Sequence, residues 1–186
     1  MGGCEECGNG EGASGPGQGD VIVALAGNPN TGKSSIFNHL TGARQHVGNW
    51  PGKTVARSHG SFRHDGHTVG IVDLPGTYSL NASSPEEMIA RDYLVSGEPD
   101  AVIVVVDAAN LERNLYLTVQ VLEIGVPTIL ALNMADVASS RGIEIDVGGL
   151  SAHLGIPVVQ MVARHGTGLE DLKDAVVGVG AWEGTP

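Results

Sequence analysis

The chain has 186 residues, 41% of them hydrophobic, and a formal net charge of −11 from 21 acidic and 10 basic side chains. That length suits one compact domain with a sizeable core, and the composition excludes a disordered or membrane-like chain. The acidic balance, with no basic patch to neutralise phosphates, disfavours nucleic acid as a partner.

In chain order, residues 1–20 contain eight glycines and the pair Cys4 and Cys7 in "CEEC". One Cys-x-x-Cys supplies two of the four ligands a structural zinc takes, so the segment reads as a flexible tail. It has neither the basic start nor the apolar centre of a signal peptide. No apolar run reaches the roughly 18 residues of a membrane span, so a soluble, intracellular chain is expected.

From Val21 onward, short β-branched runs alternate with helical ones. Val21–Ala26, Val69–Val72, Ala101–Val106, Thr128–Leu132 and Pro157–Met161 fit strands buried on both faces of a parallel sheet. "HDGH", His64 to His67, places an Asp-Gly turn in a hairpin and so adds an antiparallel edge strand. Ser34 to Leu40 predicts a helix stopped near Gly42. Ser84 caps a helix opened by Pro85, Glu86 and Glu87. Leu111, Leu115, Val119 and Leu122 form the apolar stripe of the next helix, and Leu169, Leu172 and Val176 that of the last. The pattern predicts an α/β fold: a doubly wound, mostly parallel six-stranded sheet with helices on both faces.

"GNPNTGKSS", Gly27 to Ser35, lies between the first strand and the first helix and meets Gly-x-x-x-x-Gly-Lys-Ser. Gly32 lets the backbone turn several N–H groups inward, towards an anion also favoured by the helix start. Asn28, Asn30, Thr31 and Ser35 complete that cradle, Lys33 reaches the β- and γ-phosphates, and the Ser34 hydroxyl suits Mg²⁺. In "VDLPG", Asp73 ends a strand where it can hold Mg²⁺ through water, and Gly76 offers an N–H to a γ-phosphate. In "LNMAD", the Asp136 carboxylate matches the paired N1 and N2 hydrogens of guanine, which adenine lacks, and Asn133 braces the loop. Thr54, a lone hydroxyl in a Gly/Pro-rich loop, suits a segment that orders only with ligand.

Together "GNPNTGKSSIFNHLTG", "VGNWPGKTV", "DLPGTYSL", "DAANLERNLYLTVQVLEIGVP" and "ALNMAD" resemble the G domain of the bacterial ferrous-iron transporter B (FeoB) family, within the Ras-like P-loop GTPases. The resemblance covers residues 21–180, and it implies GTP and GDP as ligands and slow GTP hydrolysis. It makes Thr54 the switch I threonine on Mg²⁺ and Asp73 to Tyr78 the start of switch II. It also implies a K⁺ ion held by Asn30 and by carbonyls around Asn49 to Gly52. A cation there would supply the positive charge that an arginine gives elsewhere. Asn30, Lys33, Thr54 and Gly76 are then the catalytic candidates.

Departures from the pattern carry their own expectations. Thr77 stands where Ras-like proteins carry a water-orienting glutamine and is too short to copy it. "MVARHG" replaces the usual Ser-Ala-Lys or Ser-Ala-Arg. Ala163 can still offer its N–H to guanine O6, and Arg164 keeps its place beside the base, but Val162 lacks the hydroxyl that braces Asp136. Met134 lays its thioether over the base in place of lysine. Weaker guanine affinity, faster release or relaxed base choice follows.

His59, His64 and His67 are expected to be solvated strand histidines rather than metal ligands. Residues 181–186 read as the start of a linker. The sequence then reads as a fragment whose partners are the helical and transmembrane portions of a parent transporter at the cytoplasmic face of the inner membrane. Self-association through the switch regions is a further implication. The alternatives left open are a nucleotide-gated binding module, an NTPase of relaxed specificity and a ribosome- or tRNA-associated GTPase.

Overall fold

The computed structural model describes residues 21–42 and 45–180. The Cys4–Cys7 tail and the expected linker at 181–186 lie outside the described residues.

The described residues form one sheet of seven strands. Its strands are β1 (Val21–Gly27), β2 (Gln45–Asn49), β3 (Ala56–His64), β4 (His67–Asp73), β5 (Ala101–Asp107), β6 (Thr128–Asn133) and β7 (Val158–Gln160). Their spatial order is β2-β3-β4-β1-β5-β6-β7, with β4, β1, β5, β6 and β7 parallel and β2 and β3 antiparallel. The fold is the expected doubly wound one with an antiparallel edge, but it has seven strands rather than six. The additional strand, β2, is exposed at every residue, so it has no buried face to impose an apolar alternation on its sequence. The turn at Asp65 and Gly66 joins β3 to β4 with both residues at positive φ (47° and 82°), as a two-residue hairpin requires.

Among the described residues six α-helices cover the sheet: α1 (Lys33–Thr41), α2 (Pro85–Val95), α3 (Leu111–Ile124), α4 (Ala135–Ser140), α5 (Val147–Leu154) and α6 (Leu169–Gly180). Alternate strand residues feed two cores. Val23, Leu25, Ile103, Val105 and Ile129 pack with Ile36, Phe37 and Leu40 of α1 and with Leu172 and Val176 of α6. Ala24, Val72, Val102, Val104 and Leu130 pack on the other face with Ile89 and Leu94 of α2 and with Leu117 and Val121 of α3. β5 is buried along six of its seven residues, which explains its unbroken apolar sequence.

Local signals act where expected. The Ser84 hydroxyl accepts the Glu87 N–H at 3.2 Å, and Glu87 reaches back to the Ser83 N–H at 2.9 Å, closing α2's first turn. Gly42, at φ 54°, ends α1. The stripe predicted for α3 is offset: Asn114, Leu117, Thr118 and Val121 are buried, whereas Val119 is exposed. Two polar residues on the buried face disguise it. Asn114 spends its amide on the carbonyl of Asn110 at 2.8 Å, and Thr118 its hydroxyl on that of Asn114 at 3.4 Å. The short helices α4 and α5 lie outside the sequence expectation; Asp146 caps α5 by accepting the Gly149 N–H at 2.9 Å.

Candidate nucleotide site

The sheet's carboxyl edge carries the site, as expected for an open parallel sheet. Residues 28–32 turn tightly between β1 and α1. A Cβ on Gly27 would lie 2.6 Å from the Val105 carbonyl of the neighbouring strand, so only glycine fits there. Asn30 and Gly32 sit at positive φ (65° and 87°). The Thr31 hydroxyl donates to the Asn28 carbonyl at 2.9 Å, and the Gly32 carbonyl accepts from the Ser35 and Ile36 N–H groups. Asn28 is buried with its side-chain oxygen unpartnered, whereas Asn30 is exposed at the tip. Ser34 and Ser35 face solvent from the first turn of α1.

Lys33 is buried, and its ammonium donates to the Asp73 carboxylate and, at 2.6 Å, to the Leu74 carbonyl. Burial pushes the Asp73 carboxyl above its ordinary value, and the charge and hydrogen bond of Lys33 pull against that rise. The chain beyond β4 runs alongside the cradle, with the Leu74 N–H donating to Leu25 and the Thr77 N–H to Gly27. Gly76 therefore lies against Pro29, where a Cβ would come within 3.4 Å of backbone. Thr77 is buried, and Tyr78 stands half-exposed with the Arg113 guanidinium 4.3 Å from its ring centre.

The segment between β2 and β3 is anchored by Trp50, which is buried edge-on against Tyr93 (5.3 Å between ring centres) beneath the Arg57 guanidinium (4.7 Å). In the sequence, Trp50 stands only as a lone large aromatic in a Gly/Pro-rich loop, a signal for an anchor that does not by itself say what it packs against. Thr54 is exposed, and its side chain makes no hydrogen bond among the described residues.

At the other end, Asn133 terminates β6 and is buried. Its amide donates to the Thr31 carbonyl at 2.8 Å, and its oxygen accepts the Ala163 N–H at 2.9 Å. This side chain ties the cradle to the 162–165 loop, the bracing expected of it. Met134 takes a left-handed conformation (φ 61°) that starts α4 and presents Asp136 in its first turn. A cavity of about 140 Å³ opens between Gly32, Met134, Asp136, Val162 and Arg164.

Two of the expected base-contacting groups have partners within the fold. The Ala163 N–H, expected at guanine O6, is engaged by Asn133, because a buried donor must find a partner within the fold. Arg164, expected beside a base, instead pairs its guanidinium with the Asp136 carboxylate. Val162 offers no hydroxyl and forms backbone bonds with Thr167.

The histidines also differ from expectation. His67 is exposed, but His64 is half-buried against Asp174 (2.5 Å), and His59 is half-buried and stacks on His46. Burial first, then the positive neighbour Arg57 and then His46, hold His59 below the ordinary histidine value.

The family model for ferrous iron transport protein B matches residues 21–176. The chain belongs to this family. FeoB relatives from Shigella flexneri and Salmonella typhimurium, each described as an Fe(2+) transporter, are 54% and 55% identical over 160 residues. Those alignments cover 84% of this chain but only 21% of each relative, so the chain spans about a fifth of the transporters' length. Among solved FeoB structures, the T. maritima G domain superposes with a TM-score of 0.82 at 50% identity, covering 86% of this chain and 98% of that one. A single-site mutant of S. thermophilus NFeoB bound to GDP gives 0.80 at 50% identity, with coverage of 83% and 61%. No helix among the described residues is long and apolar enough to cross a membrane.

Proposed function

We propose that residues 21–180 form a guanine-nucleotide-binding G domain that binds GTP and GDP, hydrolyses GTP slowly and serves as the cytosolic switch of a ferrous-iron transporter. The observation that carries this reading is Asn133, whose two buried hydrogen bonds join the phosphate cradle to the base loop beside Asp136. The GDP-bound NFeoB relative supports the choice of ligand. The parent's remaining helical and transmembrane parts are the proposed partners, at the cytoplasmic face of a bacterial inner membrane, with self-association through the switch segments.

Lys33, Ser34 and the first turn of α1 hold the phosphates, with Asn28, Asn30, Thr31 and Ser35 shaping the loop. The donors suit Mg²⁺: the exposed Ser34 hydroxyl and the Asp73 carboxylate are hard oxygens, and Asp73 already needs a cation beside it. Mg²⁺ there would neutralise charge on the β- and γ-phosphates. Thr54 joins from switch I when the loop orders, and Gly76, already beside Pro29, offers its N–H towards a γ-phosphate. Buried Thr77 leaves no side chain to orient the attacking water, so intrinsic turnover is slow. The exposed side chain of Asn30 is the proposed K⁺ ligand at the tip of the cradle, together with carbonyls of Asn49 to Gly52.

The test is equilibrium binding of GDP and single-turnover GTP hydrolysis in K⁺ against Na⁺, for the wild type and Asn30→Ala. Nucleotide binding with K⁺-stimulated turnover that Asn30→Ala abolishes is the expected result. Binding without turnover in either salt would leave a nucleotide-gated binding module. A relaxed NTPase is the second reading, favoured by the absence of a bracing hydroxyl at Val162. ATP competing as well as GTP for one site would establish it.

A further inference from the structure

The carboxylate proposed to recognise guanine already has a partner. Arg164 donates from Nη2 to Asp136 Oδ2, and its Nε donates to His165 Nε2 at 3.0 Å, which holds the guanidinium in place from the other side. The pair spans 28 residues and lies at the mouth of the cavity between Met134 and Val162. A guanidinium presents adjacent N–H donors in one plane to a carboxylate. The Watson–Crick edge of guanine presents the same arrangement through N1–H and the 2-amino group. The Arg164 bond occupies Oδ2, one of the two oxygens that the paired guanine donors would share.

Resting on the guanine-nucleotide reading above, we infer that Arg164 is an internal competitor for the base, occupying Asp136 until guanine displaces it. Affinity for guanine nucleotide is then lowered by the fraction of molecules in which Asp136 is paired. The Asp136 side chain is 29% exposed and that of Arg164 67%, which limits the strength of the pair. An exposed ion pair of this kind biases an equilibrium by at most about five-fold. On release, Arg164 re-forms its bond with Asp136 and opposes rebinding of the base. The effect is confined to the base: Asp136 belongs to α4, whereas the cradle rests on Gly32, Lys33 and the start of α1.

The opposite role is also definable. With Val162 unable to brace Asp136, Arg164 would hold the carboxylate ready for guanine, and its removal would weaken binding. Equilibrium titration and stopped-flow release of a fluorescently labelled GDP, at low and high salt, separate the two. The proteins are the wild type, Arg164→Ala, Arg164→Gln, and Arg164→Ala in an Asp136→Asn background. Competition predicts that both single variants bind GDP about three- to five-fold tighter with slower release, and that salt, which screens the pair, narrows the gap. In the Asp136→Asn background, removal of Arg164 leaves the affinity unchanged. Unaltered or weaker binding by Arg164→Ala overturns the competitor role alone. Failure of the wild type and Arg164→Ala alike to bind GDP overturns the guanine-site reading and the competitor with it.

Discussion

Substituting Gly32 by alanine tests how the cradle is coupled to the base loop. Gly32 sits at φ 87°, where a Cβ costs about 1–2 kcal/mol. That Cβ would also fall 2.2 Å from the Asn133 amide nitrogen, far inside contact distance. Asn133 is buried and held by two hydrogen bonds, so it cannot move aside without losing the Thr31 carbonyl and the Ala163 N–H. Each buried group left unpaired costs about 1–3 kcal/mol. Taking the lower range of each, Gly32→Ala destabilises the domain by about 3–5 kcal/mol, a large share of a typical 5–15. Gly125→Ala is the control: Gly125 has a φ of 85° but nothing within 4 Å of the added Cβ, so it carries the backbone strain alone. Urea denaturation of the two variants, and of Gly32→Ala combined with Asn133→Ala, measures the difference. In the double variant the clash is gone, and Gly32→Ala costs no more than Gly125→Ala. A Gly32→Ala variant within about 1 kcal/mol of the control would refute the coupling.

His59 is held below 6.5, so the unfolded chain takes up its proton first and stability falls as pH drops through that value. The urea midpoint of the wild type should decrease between about pH 7.5 and about pH 5.5, and His59→Gln should reduce that decrease. Tyr93 is pushed up from 10.0 to about 12, mainly by burial. Its contribution is intact below pH 10 and is lost above it, by at most about 1.4 kcal/mol per pH unit; an ultraviolet titration of the wild type minus Tyr93→Phe should show one phenol ionising late. Asp73→Asn removes the anion that competes with phosphate for Lys33 and the proposed carboxylate near Mg²⁺. GDP affinity should therefore depend less on Mg²⁺, with Ser34 remaining, and an unchanged dependence would rule out Asp73 as a contributor to the metal site.

Most of the cradle is legible in the sequence because its demands fall on the backbone. Gly27 and Gly32 are required by close approach and by positive φ, and such requirements leave glycine at fixed spacings. Buried parallel strands are legible for a related reason: β5, covered on both faces, can be nothing but apolar. β2 leaves no such trace, since no residue of it is buried. The face of α3 is misplaced from sequence because Asn114 and Thr118 satisfy their polar groups locally and so can be buried. Arg164 belongs to the expected loop but takes a different partner. Which of two acceptors a long side chain takes depends on tertiary distance, and the pair joins residues 28 positions apart.

The two ends of the site differ in how far they depend on side chains, and that difference bears on where this chain can diverge from its family. At the proposed phosphate end, backbone groups and one lysine would do the binding, and a buried ammonium such as that of Lys33 needs an anion beside it. Lys33 pairs with Asp73; a bound phosphate would replace one anion with another around the same ammonium. At the proposed base end, recognition would rest on a single carboxylate, and the loop that would brace it carries Val162 and Arg164. Arg164 pairs with Asp136 as Asp73 pairs with Lys33. On the proposed reading, nucleotide binding would be an exchange of partners at both ends, with the affinity set by the difference between each new contact and the one it displaces. Replacing Val162 by serine would add a brace on the same carboxylate that Arg164 holds. This substitution and replacement of Arg164 both act on Asp136, so their effects on GDP affinity should depart from additivity in a double-variant cycle, and strictly additive effects would refute the shared partner.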